Sequence, residues 1–381
     1  MNGRKSKYVI GLMSGTSADG VDASLVRIDS DFSFEEIYST VYQYPLDFQR
    51  RIKSLFSENV SMKEICVMNF LVAEHFSSAV EQLLEEADLP PSDVDFIGSH
   101  GQTVYHYPTD DIEAGMPLKS TLQIGDISVI AKNTEIDTIG NFRTADIAVG
   151  GNGAPLVCFA DEKIFGKDKV PRAIQNLGGI ANVTVVSQKC ETFAFDNGPA
   201  NVLIDYFMNK YFNQPYDKDG KIAAMGNVRE SVIDDLMKLA YFDLMPPKTT
   251  GRELFSYQFA EEIEQKYKLS KEDMIATMTA FTARSIADSY KKFVFPKTEI
   301  QEIVLGGGGA YNTTLKNMLK NEFGTEIAVK THEDFGISNK FKEAIAFAML
   351  AYAYYYDIAN NVPSCTGASR KTLLGQYCKA L

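Results

Sequence analysis

The chain has 381 residues, 45% of them hydrophobic and 23% charged, with a formal net charge of −12. This length suits two or three domains or one large α/β unit, and the composition is that of an ordinary folded globular protein. The acidic balance argues against a general nucleic-acid or anionic-membrane surface. Five scattered cysteines (Cys66, Cys158, Cys190, Cys365, Cys378), with no CxxC pair, argue for free thiols and against a zinc site.

In chain order, YVIGLM and DASLVRID read as strands around a polar glycine turn, and FEEIYSTVYQY (34–44) reads as a third strand. Helical patterns follow at about 46–57 and 62–87. DFIGSHGQT (95–103) and TLQIGD (121–126) read as strands ending in turns, with a helix over 127–133 and a strand over 134–142. The opening theme then repeats: RAIQNLGGIANVTVVS (172–187) is strand, glycine turn, strand, and ETFAFDNGP (191–199) is a third strand before the helix NVLIDYFMNKYF. Next come a long helix at about 271–293, the strand–turn EIVLGGGGAYN (302–312), a short strand over 326–330 and a helix over 339–358. Three hairpin strands followed by βα units, occurring twice, predict a duplicated α/β fold with a ligand cleft between its halves. The N-terminus reads as strand–turn rather than a cleavable leader, and no run approaches a membrane-spanning length, so a cytoplasmic protein is expected.

The turn MSGTSADG carries more small polar groups than a hairpin needs. P-loop and GxGxxG motifs are absent. Instead four separate glycine turns occur: MSGTSADG, NLGGIAN, DNGPAN and GGGGAYN. Gly15 and Gly20 would let backbone approach a phosphate, with Ser14, Thr16 and Ser17 as donors. Asp19 or Asp22 is suited to a hydrated Mg²⁺, which takes only one or two carboxylates. The glycine wall from Gly306 to Gly309 is suited to a purine ring, or simply to close helix–sheet packing.

Asp196, at the end of a hydrophobic strand before Gly-Pro, is either a turn-former or a base aimed at a ligand. His100 and Gln102 sit in a polar strand-end turn. Arg143 and Asp146 lie next to another glycine turn, GGNGAPL (150–156), as groups for a polyhydroxylated ligand or for a hinge. KTTGREL (248–254), with Lys248 and Arg252, reads equally as a nucleotide contact or as the N-cap of a helix over 253–265. Glu343 enters an otherwise apolar helix, near the positive end of its dipole.

With these blocks assembled, the sequence resembles the anhydro-N-acetylmuramic acid kinase family. GLMSGTSADGVD, SHGQT, NFRTADIAVGGNGAPLV, NLGGIANVT, FDNGPANVLID, KTTGRE and GGGGAYN match that family's blocks in order, over nearly all of residues 8–376. The resemblance implies two duplicated actin-like, ribonuclease H-like ATPase domains, as in sugar kinases and heat-shock chaperones. Residues 1–142 with a C-terminal helix at about 358–381 would form the first, and residues 143–357 the second. It implies ATP and Mg²⁺ as cofactors, 1,6-anhydro-N-acetylmuramic acid as substrate and a homodimer as assembly. The family opens the internal acetal with water and phosphorylates O6, giving N-acetylmuramic acid 6-phosphate and ADP in peptidoglycan recycling.

Carried onto matching positions, the resemblance makes Asp196 the catalytic base and Glu343 an assisting carboxylate. It makes His100, Gln102, Arg143, Asp196 and Glu343 the sugar-binding set. The expected nucleotide contacts are Ser14, Gly15, Thr16, Ser17, Ala18, Asp19, Gly20, Val21 and Asp22 in the first turn. Gly178, Gly179, Asn182, Gly198, Gly307, Gly308 and Asn312 complete them, with Asp19 holding the metal through water. Another sugar kinase of the same fold, or a nucleotide-switched binding protein, would use the same turns differently. Product analysis after incubation with ATP and the anhydro sugar separates the three.

Overall fold

The computed structural model describes residues 5–15, 17–57, 59–108, 112–113, 115–251 and 253–381. The chain divides into two compact units, residues 1–164 with 340–381, and residues 165–339.

The first unit opens with an antiparallel meander, β1 (Lys7–Ser14), β2 (Gly20–Ile28) and β3 (Phe34–Gln43). Helices α1 (Leu46–Ser54) and α2 (Met62–Glu86) follow; the Ser61 hydroxyl caps α2 by accepting from the Glu64 amide. Then come β4 (Phe96–Tyr107), the two-residue strands β5 (Ile112–Glu113) and β6 (Met116–Pro117), and β7 (Ser120–Ile124). Helix α3 (Ile127–Thr134), β8 (Thr138–Gly140), α4 (Phe142–Ala148) and α5 (Val157–Phe165) close this stretch.

The second unit repeats the plan. Its meander is β9 (Arg172–Leu177), β10 (Ile180–Val186) and β11 (Phe193–Pro199). Helices α6 (Asn201–Phe212), α7 (Glu230–Leu236), α8 (Tyr257–Tyr267) and α9 (Lys271–Ser289) lead to β12 (Glu302–Gly306). Helix α10 (Thr313–Phe323) and β13 (Ala328–Thr331) complete it. Ala283 and Ile286 of α9 share a core with sheet residues Val183, Phe195 and Ile303. Met274, Met278 and Phe281 of the same helix join Leu203 and Phe207 of α6 in a second one. The chain then returns to the first unit as α11 (Lys342–Tyr355), α12 (Pro363–Thr366) and β14 (Gln376–Cys378).

The duplication shows in strand order. The first sheet runs β14-β8-β4-β1-β2-β3, with β7 also on β4; the second runs β11-β10-β9-β12-β13. In each, the first meander strand lies parallel to the next strand, which lies parallel to the one after it. This is the ribonuclease H-like order of the expected actin-like fold, present twice.

The unit boundaries differ from those expected at 142/143 and 357/358. Helix α11 belongs to the first unit because paired glycines admit it: Gly11 and Gly98 are register partners on β1 and β4. A Cβ on Gly11 would lie 1.8 Å from the Ala344 carbonyl oxygen, and one on Gly98 would lie 2.4 Å from that of Phe347. Phe32, after β2, sets its ring edge-on against both Phe159 of α5, at 5.6 Å, and Tyr352 of α11, at 5.4 Å. The expected C-terminal helix is instead the single turn α12 and the edge strand β14. Helix α4 lies where the sequence shows only Arg143 and Asp146 ahead of a glycine turn.

Candidate active site

Residues of the first polar turn divide by direction. Ser14 is buried, its Oγ 2.7 Å from Gln102 Oε1 and 2.8 Å from the Gly20 carbonyl oxygen. Gln102 Nε2 donates to the Gly15 carbonyl at 3.1 Å, so these two side chains brace the turn from within. Ala18, held at φ 50°, and Val21 are both fully buried, leaving only their backbones to meet a ligand. Ser17 and Asp19 are exposed, and the Ser17 hydroxyl donates to Asp19 Oδ1 at 2.9 Å. Nothing lies within 4 Å of where a Gly15 Cβ would be. Asp22 faces Lys340 at 3.4 Å; loss of water raises its carboxyl, and the ammonium partly offsets this. Thr16 and Arg252 lie outside the described residues.

In the same unit His100, buried on β4, has a defined hydrogen-bond pattern. Arg143 Nε and Nη2 reach His100 Nε2 at 3.1 and 2.9 Å, while Nδ1 lies 2.8 Å from the Gly101 carbonyl. Arginine has donors only, so Nε2 must be the acceptor and Nδ1 carries the hydrogen. Burial, and then the Arg143 charge, hold this ring well below the ordinary histidine range. Arg143 Nη1 also donates to the Gly153 carbonyl at 2.6 Å. Fully buried Asp146 ties down the same loop: its carboxylate accepts from the Gly153 amide at 2.9 Å, Asn361 Nδ2 at 3.0 Å and Thr366 Oγ1 at 2.8 Å. Asp146 is therefore a loop fastener.

Glu343, in the first turn of α11, remains reachable by solvent. Loss of surrounding water raises its carboxyl, with Lys342 and Arg143 pulling down and Asp22 and Asp161 pushing up. Burial lowers Arg143 to about 10, with Glu343 and Asp146 opposing. Lys342 is fixed on buried Asp161 at 2.6 Å. The first unit holds four of the expected sugar-set members: His100 and Arg143 in direct contact, Glu343 close enough to act on the Arg143 charge, and Gln102, whose side chain is spent on bracing the turn.

The second unit holds Asp196 in a row of polar positions. Asp196 is the register partner of Asn182, Asn182 of Asn176, and Asn176 of Gly306. Directly opposed residues share a sheet face, so the row crosses four strands from the carboxylate to the glycine run. Asp196 Oδ2 accepts from the Thr250 amide at 2.9 Å, and its backbone oxygen accepts from the Tyr241 hydroxyl at 2.7 Å. Burial raises its carboxyl to about 6, while the Thr250 hydrogen bond works the other way. A carboxylate at that level is still mostly ionised at pH 7 and basic enough to take a proton.

At the other end, Asn339 clamps Gly307: its Oδ1 accepts from the Gly307 amide at 2.7 Å and its Nδ2 donates to the Gly307 carbonyl at 2.8 Å. Gly307 has φ 76°, and nothing lies within 4 Å of a Cβ placed on Gly308 or Gly179. Gly178 and Gly179 are bound by the start of α6: Asn201 Nδ2 donates to the Gly178 carbonyl at 2.8 Å, and the Ala200 and Val202 amides donate to the Gly179 carbonyl at 3.0 and 3.1 Å. Gly198, at φ 153°, backs onto the Phe242 ring, which would lie 2.9 Å from a Cβ at that position. Asn312 spends its side chain on capping α10, accepting from the Leu315 amide at 2.9 Å.

Segment 248–254 is not a helix cap; Ser256 caps α8 by accepting from Phe259. Within the segment, the backbones of Lys248 and Thr250 hold Asp196. Sequence reading also missed the buried chain beneath that strand, where Gln175 Nε2 donates to Asn197 Oδ1 at 2.8 Å and Asn197 Nδ2 donates to Ser289 Oγ at 2.7 Å. These partners lie far apart in sequence, so no local motif announces them.

Among the described residues no three of His, Cys, Asp and Glu are grouped as a metal cage. A Mg²⁺ that keeps most of its waters needs less, and the exposed carboxylate of Asp19 beside a polar turn fits that demand. No described helix is long and apolar enough to cross a membrane.

The family described as anhydro-N-acetylmuramic acid kinase matches residues 7–380. The chain belongs to this family. An anhydro-N-acetylmuramic acid kinase from Caldanaerobacter subterraneus subsp. tengcongensis is 40% identical, covering 98% of this chain and 97% of its own. One from Bacillus thuringiensis subsp. konkukian is 43% identical, covering 97% and 98%. Among solved structures, component A of (R)-2-hydroxyglutaryl-CoA dehydratase from Acidaminococcus fermentans is 13% identical, with a TM-score of 0.46 over 91% of this chain and 98% of its own. As a member of the anhydro-N-acetylmuramic acid kinase family, the protein is a kinase, a phosphotransferase with a carbohydrate acceptor.

Proposed function

We propose that this protein opens 1,6-anhydro-N-acetylmuramic acid with water and phosphorylates O6 at the expense of ATP. The observation that carries this reading is Asp196, a strand-end carboxylate raised to about 6 and oriented by the Thr250 amide. An ordinary hydroxyl acceptor already has an oxygen to phosphorylate. An internal acetal does not: breaking C1–O6 would leave a poor alkoxide. If O6 takes the γ-phosphoryl group as it departs, that charge is captured.

In this scheme Asp196 accepts a proton from the water whose oxygen bonds to C1, as the base of an inverting glycosidase does. The C1–O6 bond breaks, O6 bonds to the γ-phosphorus, and the bond from that phosphorus to the ADP oxygen breaks. The proton on Asp196 is later lost to solvent. Arg143 and Glu343 recognise the sugar, with His100 holding the guanidinium in place as a neutral acceptor. The turn at Gly15 to Asp22 and the glycines at 178–179 and 307–308 receive the nucleotide by backbone, since the side chains of Ser14, Ala18, Val21 and Asn312 are engaged internally. Asp19 would hold Mg²⁺ through water. Such an ion neutralises phosphate charge when bound.

A cytoplasmic homodimer in peptidoglycan recycling completes the reading. Exposed apolar side chains on and near α2, such as Met62 and Phe70, are compatible with a partner. Mass spectrometry of the products tests the reaction. The reading expects the sugar to gain one phosphoryl group and one water while ATP becomes ADP. Unreacted anhydro sugar, with or without ATP hydrolysis, would overturn it.

A further inference from the structure

Lys248 is the least expected feature of the second unit. Its side chain is buried, at 6% exposure. A buried ammonium is costly unless it is partnered. Among the described residues its partners are not carboxylates: Nζ donates to the Tyr241 carbonyl at 3.1 Å and sits over the Tyr241 and Phe293 rings at 4.5 and 4.8 Å. The nearby acids Asp243 and Asp288 are both taken by Lys292, at 2.8 Å each.

Three bonds from this one segment converge on Asp196. The Lys248 carbonyl accepts from the Asp196 amide at 3.1 Å, the Thr250 amide donates to Oδ2 at 2.9 Å, and the Tyr241 hydroxyl donates to the Asp196 carbonyl at 2.7 Å. The Lys248 side chain ties the two ends of the segment together, Tyr241 at one end and the 248–250 turn at the other. Asn182, opposite Asp196 on β10, brings no charge. Among the described residues, the charges acting on Asp196 are Lys248 and, in the opposite sense, Glu253.

We infer that Lys248 is a positioning residue, which locks the 241–250 segment onto the strand bearing Asp196 and holds that carboxylate oriented and ionised for its proton transfer. Lys248 itself gives up no proton. This rests on Asp196 as the base. Its own position agrees: burial lowers the ammonium to about 8, with Lys292 adding to the effect and Asp288, Asp243 and Asp196 opposing it. The ammonium is thus mostly charged between about pH 6 and pH 8, where Asp196 becomes ionised.

The test is the pH profile of kcat, with MgATP and the anhydro sugar, for wild type, Lys248→Met, Lys248→Arg and Lys248→Gln. Methionine keeps the apolar stem and removes the charge, so kcat should fall about tenfold, and the acid limb should move up by about half to one pH unit. KM for MgATP should stay within about twofold, because the segment orients the base rather than the nucleotide. Arginine should return the acid limb toward its wild-type position. A merely structural fastener would lower activity without moving that limb.

An acid limb unmoved in Lys248→Met, or moved equally in Lys248→Arg, overturns the inference. If circular dichroism shows Lys248→Met unfolded, Lys248→Gln decides by the same reading: an acid limb moved up is expected, and an unmoved limb overturns the inference. The Asp196→Asn variant separates this from the underlying reading. If that variant is active, Asp196 is not the base and both fall together; if it is inactive, the Lys248 result stands alone.

Discussion

Arg143 places Nε and Nη2 at 3.1 and 2.9 Å from His100 Nε2, against a ring whose Nδ1 faces the Gly101 carbonyl at 2.8 Å. The imidazole cannot be protonated without turning an acceptor toward a cation into a second cation. His100 is therefore a neutral prop for the guanidinium, not an acid–base group.

That arrangement has a pH consequence for stability. The folded ring is held below its ordinary value, so below about pH 6.5 the unfolded chain binds a proton that the folded one refuses. The stabilisation is complete above that value and is lost as pH falls. Comparing melting temperatures at pH 7.5 and 5.5, wild type should lose more than His100→Gln, which cannot titrate. Equal losses would show that His100 takes up its proton at no cost.

The glycine pair under α11 predicts a sharp contrast. Gly11→Ala and Gly98→Ala each drive a Cβ into helix backbone, at 1.8 and 2.4 Å. Each should cost about 3 kcal/mol or more, the upper end of overpacking penalties. Gly15→Ala, with nothing within 4 Å, should stay within about 0.5 kcal/mol. Denaturant titration followed by circular dichroism makes the comparison. A wild-type midpoint for Gly11→Ala would contradict the close approach of α11 to β1 and β4.

The exposed side chain of Asp19 accepts from the Ser17 hydroxyl, so its removal tests ligand handling rather than folding. Calorimetry should find weaker MgATP binding by Asp19→Ala, with anhydro-sugar affinity unchanged. Unchanged MgATP affinity and turnover would make the turn a structural feature only.

Most of the fold was legible because its signals are local. Both meanders follow from alternating hydrophobic runs broken by glycine turns, and α2 follows from its helical period. Contacts between distant segments were not legible. Nothing near Gly11 or Gly98 announces that a helix much later in the chain needs the space. For the same reason the sequence places α11 in the second unit, whereas it packs with the first. In the site, residue types were readable but side-chain directions were not. Ser14 looks like a phosphate donor until its hydroxyl is found against Gln102, and Asn312 looks like a nucleotide contact until it caps α10. Lys248 and Thr250 reveal their part only through bonds to a strand far earlier in the sequence.

The account turns on one carboxylate. Asp196→Asn keeps the shape and the Thr250 hydrogen bond but cannot accept the proton from water. General bases typically contribute about 10²–10⁴-fold, and coupling between water attack and O6 departure would push the loss to the upper end. The direct measurement is single-turnover conversion of the anhydro sugar by wild type and Asp196→Asn, with MgATP affinity determined on the same preparations. The account predicts turnover lowered by at least about 10²-fold with MgATP binding nearly intact. Turnover within a few-fold of wild type would contradict it.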